Sequence, residues 1–537
     1  LEANPSISQF WLSYIDALVK LDRISDAKAV FDQAKRNGAK GDGFDRLEKR
    51  LRPVERAQEP PKAQLNALIK LYNQNKLIQV FDEAQKLTKR YTKSLALWNL
   101  MGASAAQLGR LDDAILAFQQ ALSIKPDYAE AYNNMGNALK EKGKLAEAIE
   151  AFNKALSFKP DYADAYYNMG NALQDQGKLE EAIQAYTKAL SIKPDYSEAY
   201  HNLGLILRGI VFNNPNRDLQ KTIVSILEKK RYIRPKDIAT AAISLLKLDP
   251  NLKKHLEVLY NGETESPLDL ISDLCDLPLL LELMSVCPLP DLELERLLTN
   301  LRRFILLNIS SLKETSQDLI KFQSALALQC FTNEYIYNNS AEEKKLLKAL
   351  ENKIKNTLKN NEQPTKKELL AIASYKALKQ YDWCELLVLT DDIQKVFVRQ
   401  VKEPIQEEKL KQDLPILDDI TNIVSSKVRV QYEERPYPRW VNLRLNPKPM
   451  LVSNVVSQIE LKLYDNKISK IEKPEILIAG CGTGEHSIGT AVRFASSNVL
   501  AIDLSRSSLV YAKRKSDELG IHNVEYLQAD ILDLCQL

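Results

Sequence analysis

The sequence predicts a mostly α-helical chain that ends in the opening half of an α/β nucleotide-binding fold. Three observations carry that expectation. About two hundred N-terminal residues repeat with a 34-residue period. From about Gly209 the period disappears, yet apolar residues go on recurring at three- and four-residue spacing. Near the C-terminus a short apolar run breaks into Gly480-Cys481-Gly482-Thr483-Gly484, after which helical spacing resumes.

The repeat is read by direct comparison. AYNNMGNALKEKGKLAEAIEAFNKALSFKPDY, from Ala131, returns as AYYNMGNALQDQGKLEEAIQAYTKALSIKPDY from Ala165. Each unit holds two helical stretches. Gly109, Gly143 and Gly177 separate them, and Pro126, Pro160 and Pro194 end the second stretch. Gly102, Gly136, Gly170 and Gly204 fall inside the first stretch. A mid-helix glycine costs up to about 1 kcal/mol, so close approach of a neighbouring helix is expected there. Two divergent units precede the regular ones, from Trp11 and from Leu65, the second with Asn75 in place of the turn glycine.

This pattern resembles the tetratricopeptide repeat over about residues 5 to 208, divergent over 5–94 and regular over 95–208. Such units stack into an α-solenoid with a concave inner face. Asn134, Asn168 and Asn202 occupy one repeat position, and Asn133, Asn137 and Asn171 lie nearby. The repeats also resemble those of the O-linked N-acetylglucosamine transferases, in which an asparagine ladder pairs with the backbone of a peptide. That resemblance makes Asn134, Asn168 and Asn202 the expected contacts for a protein or peptide partner. The competing expectation is that asparagine is simply common at this repeat position.

Residues 209–425 read as a helical connector that docks against, or covers, the domain after it. No catalytic constellation stands out there. The six cysteines form no C-x-x-C pair or zinc spacing, so free buried thiols and no metal site are expected. With 74 basic and 71 acidic residues, the chain shows no basic excess that would suggest nucleic acid. No apolar run approaches the roughly 20 residues of a membrane span, and no signal peptide is seen. The expected location is cytoplasmic.

In residues 426–537 the segment QYEERPYPRW, Gln431 to Trp440, caps a core or lines a ligand pocket. Ile476–Ala479 then reads as a strand running into the glycine loop. A second strand ends at Asp503, 19 residues past Gly484, and a third at Asp530. A dinucleotide fingerprint wants a third glycine at position 485, which is Glu485, so the spacing disfavours a nicotinamide cofactor. The ordered set instead resembles class I methyltransferases that use S-adenosylmethionine (SAM).

By that resemblance Gly480, Cys481, Gly482 and Gly484 face the methionine part of SAM. Asp503, with Leu504 beside it, would hold the ribose, and Asp530, with Ile531, the adenine. Ile478 stands where many members carry an acid. His486 is expected to cap or pack at the helix start. The longer string is similar to bacterial tetratricopeptide-repeat methyltransferases, with Arg435 where their usual segment has asparagine. Seven strands are usual in that family, so a fragment truncated at both ends, inactive by itself, is expected. Catalytic residues are left open. The competing functions are a repeat scaffold with a non-catalytic Rossmann-like domain and, with less support, an oxidoreductase using a nicotinamide dinucleotide.

Overall fold

A computed structural model describes residues 8–20, 23–51, 59–261, 266–313, 316–388, 390–434, 439–458, 467–494 and 496–536. The start of the first divergent repeat (residues 5–7), Arg435–Pro438 of the aromatic segment and Leu537 lie outside them. The chain forms two compact units, Leu1–Lys178 and Leu179–Leu537. Among the described residues no helix is long and apolar enough to cross a membrane.

The first unit is helical. Its regular part runs through Leu95–Gln107, Leu111–Ile124, Ala129–Glu141, Leu145–Phe158 and Ala163–Asp175. The interior glycines earn their place by contact. A Cβ on Gly102 would lie 2.7 Å from the Phe118 ring, and one on Gly136 would lie 2.6 Å from the Phe152 ring. Both phenylalanines are fully buried, as are Ala114 and Ala148 on the same second helices. Gly109, Gly143 and Gly177 turn the chain with φ of +72°, +81° and +79°, and Asn75 does the same at +58°. Asparagine tolerates this left-handed conformation better than most residues, which explains how the divergent unit turns without glycine.

The second unit begins with Leu179–Ile192 and Ser197–Ile206 and continues through a helical stretch. It ends in a three-stranded parallel sheet, ordered β1 (Glu475–Ala479), β2 (Asn498–Asp503) and β3 (Val524–Gln528). Helices Glu485–Arg493 and Arg506–Glu518 connect the strands. Parallel strands need such crossovers, and the helices cover the sheet that they join.

The helical stretch is stitched to this sheet. Pro415 and Leu417 bond to Gln528 in a parallel bridge along the outer edge of β3 (Leu417 N–H to Gln528 O, 2.9 Å). Leu443 and Leu445 donate to Lys230 and Arg231. Leu414, Trp440, Leu443 and Leu445 share one apolar core with Val499, Ala501, Leu509 and Tyr526 of the sheet unit. Cys275, Cys287, Cys330, Cys384 and Cys481 are buried and unpaired; Cys535 has no described side chain. No cluster of metal-ligating side chains occurs among the described residues.

Candidate functional site

Each part of the site follows from a local requirement. β1 ends where Gly480 and Gly482 take φ of +69° and +54°, a region that favours residues without a Cβ. Gly484 follows at +86° and caps helix Glu485–Arg493. Between them the loop is tied to β2. Cys481 N–H donates to Ile502 O at 3.0 Å. Gly482 N–H donates to Asp503 Oδ2 at 2.8 Å, and Ser505 N–H to the other oxygen, Oδ1, at 2.9 Å. Asp503 is thereby fixed in place while carboxylate lone pairs remain for further donors. Burial pushes the Cys481 thiol up and keeps it neutral, so this cysteine packs instead of reacting.

These residues line a cleft of about 880 Å3, within the range of small-molecule sites. Gly480, Cys481, Gly482, Asp503, Leu504 and Ile531 all face it, as does His486. Gly484 lies behind the loop, where a Cβ would meet Ala512. Asp530 is buried, its Oδ1 accepting from Leu532 N–H at 3.1 Å, while Ala529 and Ile531 on either side reach the cleft. A Cβ built on Gly480 or Gly482 meets nothing within 4 Å, so the loop faces open space that a cofactor can fill.

The aromatic segment plays both of its expected parts. Tyr432 lines the cleft. Trp440 is buried in the core, and its indole N–H donates to Thr483 O in the glycine loop at 3.0 Å. The Tyr511 ring meets Trp440 edge-on at 6.0 Å, and the Trp440 backbone N–H donates to the Tyr511 hydroxyl at 3.1 Å. The loop is therefore clamped from a segment about forty residues upstream. Glu433 reaches the start of helix Arg506–Glu518, accepting from Ser505 Oγ and Ser507 N–H, both at 3.2 Å.

Sequence reasoning missed Arg234, Arg444 and Arg493, which also line the cleft. No local pattern marks them, because Arg234 and Arg444 arrive through long-range pairing. Tyr232 and Arg444 form an antiparallel bridge. Arg234 then pairs with Glu485, the residue standing where a dinucleotide loop would carry glycine.

In the first unit, the asparagines at the shared repeat position meet through a neighbour. Asn168 Nδ2 donates to Asn133 Oδ1 at 3.0 Å, and Asn133 Nδ2 to Asn134 Oδ1 at 3.4 Å. Asn133 is buried, whereas Asn134 and Asn168 are half-buried. Asn202 belongs to the second unit.

Comparison with known proteins follows the same division. Residues 102–143 and 136–177 match the TPR repeat family, and 163–196 match the tetratricopeptide repeat. Residues 10–38, placed by the sequence among the divergent units, match the PPR repeat instead. Residues 476–536 match a methyltransferase domain family.

Two curated proteins are similar over short stretches. One is an uncharacterized protein of Rickettsia prowazekii (strain Madrid E), 27% identical over 20% of this chain and 40% of its own length. The other is a tRNA (guanine-N(7)-)-methyltransferase of Porphyromonas gingivalis (strain ATCC BAA-308 / W83), 33% identical over 11% of this chain and 25% of its own length. The chain thus spans less than half of either relative. Among solved structures, a MamA crystal structure is 27% identical, covering 30% of this chain and 92% of that one, with a TM-score of 0.27. YrrB, described as a TPR protein with an unusual peptide-binding site, is 21% identical, covering 36% and 89%, with a TM-score of 0.25. The glycine loop, the parallel sheet and the family matches agree: the chain carries tetratricopeptide repeats and a methyltransferase domain.

Proposed function

We propose that the chain belongs to a SAM-dependent methyltransferase whose repeats, within residues 1–208, recruit a protein or peptide. Residues 209–425 brace the donor-binding part, residues 426–537. The observation that carries the reading is Asp503, anchored by two backbone amides and facing open space over the glycine loop. A carboxylate so placed accepts from the two ribose hydroxyls of a nucleoside. Gly480, Cys481 and Gly482 let the methionine part approach the backbone, with Leu504 and Ile531 against the apolar surfaces, while Gly484 seats the loop on Ala512 behind it. Past β3, Ala529 and Ile531 reach the cleft beside the adenine; Asp530, which the family resemblance assigns to the adenine amino group, is buried between them with its Oδ1 accepting from Leu532 N–H. SAM itself supplies the electrophile, a methyl group on a sulfonium; the residues described here bind and orient it.

Asp503→Ala removes a charge-assisted acceptor and is expected to cost roughly 1.5–3 kcal/mol of affinity for S-adenosylhomocysteine. Calorimetric titration checks this, with Asp503→Asn as the companion that keeps the shape and one acceptor oxygen. Wild-type affinity in Asp503→Ala would end the assignment.

The repeats support recruitment through Asn134, Asn168 and Asn202. Neutral amides read peptide backbone, so capture should depend weakly on salt. Changing all three asparagines to alanine is expected to reduce partner capture while the melting temperature stays within a few degrees. If the variant melts much lower yet still captures the wild-type partners when cold, these amides serve only to hold neighbouring helices.

A further inference from the structure

Helix Glu485–Arg493 lays one face along the cleft. His486, Gly489, Thr490 and Arg493 all line it, at the i, i+3, i+4 and i+7 spacing of a single helical face. A Cβ on Gly489 would meet nothing within 4 Å, so the groove is open above that floor. Arg493 stands about 12 Å along the helix from Glu485, at 1.5 Å per residue. Arg444 lines the same cleft from the strand-like segment that pairs with Tyr232.

The charges here do not balance. Arg208 and Arg234 share Asp237, and Arg234 also takes Glu485. Among the described residues no acid pairs with Arg444 or Arg493. The Arg493 Nε is buried without a hydrogen-bond partner. Burial, then the Arg208 and Arg234 guanidiniums, push Arg444 below its ordinary range, and burial, Arg444 and Arg208 push His201 down, keeping it neutral. Of the charged side chains that line the cleft, Arg234 pairs with Glu485 and the Asp503 carboxylate accepts from the Gly482 and Ser505 amides, which leaves Arg444 and Arg493 as its two guanidiniums without an acid among the described residues. Both side chains are half-buried at the cleft wall, and a guanidinium fork matches an oxyanion in two parallel hydrogen bonds.

We propose that Arg444 and Arg493 form an oxyanion subsite for a carboxylate or phosphate group carried by the methyl acceptor, making that acceptor an anionic molecule. The proposal rests on the reading of the cleft as the SAM site. Two molecules can bring such a group, the acceptor and the amino-acid end of the donor. The acceptor is favoured because Arg493 lies two helical turns from the glycine loop that Asp503 anchors.

The test titrates the full chain with pyrophosphate, S-adenosylhomocysteine and 5′-methylthioadenosine, which lacks the amino-acid end. Arg444→Met with Arg493→Met is expected to weaken pyrophosphate about tenfold or more, the loss of one to two charge-assisted bonds. Both nucleosides should bind within about twofold of wild type on the same scale. Arg444→Lys with Arg493→Lys keeps the charge and should retain part of the pyrophosphate binding, which separates loss of the subsite from loss of the fold. If S-adenosylhomocysteine weakens while 5′-methylthioadenosine does not, the arginines hold the donor's own carboxylate and the acceptor assignment fails. Equal pyrophosphate binding in wild type and variant, or none in wild type, also overturns it. A wild type that binds pyrophosphate through these arginines but neither nucleoside supports the subsite and defeats the SAM reading instead.

Discussion

Gly484→Ala is expected to destabilise the second unit by roughly 2–5 kcal/mol, combining left-handed strain with overpacking. Gly484 takes φ of +86°, where a side chain is strained. Its Cβ would also stand 2.5 Å from Ala512 Cβ and 3.1 Å from Ala512 Cα. Ala512 is fully buried in helix Arg506–Glu518, so the neighbour is backbone that has no room to yield. Gly480→Ala is the internal control. It shares the strain, with φ of +69°, but meets nothing within 4 Å, so only about 1–2 kcal/mol is at stake. Urea unfolding followed on both variants measures the difference. Equal losses would mean that the glycine loop does not pack on that helix.

Arg514→Met is expected to cost about 3 kcal/mol or more, because removing one partner of a buried ion cluster strands the others. The Arg514 side chain is only 5% exposed and lies within 3.1 Å of Glu403, 2.8 Å of Glu407 and 3.4 Å of Glu518. Burial would lower its pKa, but the acids outweigh that and hold the charge in place. This cluster ties the helix after β2 to helix Glu403–Asp413 of the upstream stretch. Adding Glu407→Gln to Arg514→Met removes one stranded carboxylate and should recover part of the loss, as coupled neighbours do. A single variant within about 0.5 kcal/mol of wild type in urea unfolding would place Arg514 among ordinary surface residues.

The sequence by itself determined the helix pairs, the turns and the glycine loop. These rest on local physics: a 34-residue period, glycines where φ turns positive, and an apolar strand that stops at a run of alternating glycines. It also determined that Gly102 and Gly136 meet another helix, since nothing local repays a glycine there; tertiary structure supplied the partners, Phe118 and Phe152. The acid that ends β2, Asp503, was legible because the crossover length sets where the second strand ends.

Other features required the fold. Trp440 holds Thr483, Arg234 pairs with Glu485, and Arg444 enters the cleft beside Tyr232. These contacts join residues from about forty to two hundred and fifty positions apart, so no short-range pattern encodes them. The same holds for Asn133, whose amide links Asn134 to Asn168 across one repeat interval. Periodicity decides which residues share a face. Which face meets which is decided by burial of the whole chain, because apolar area and paired charge are counted over all neighbours at once.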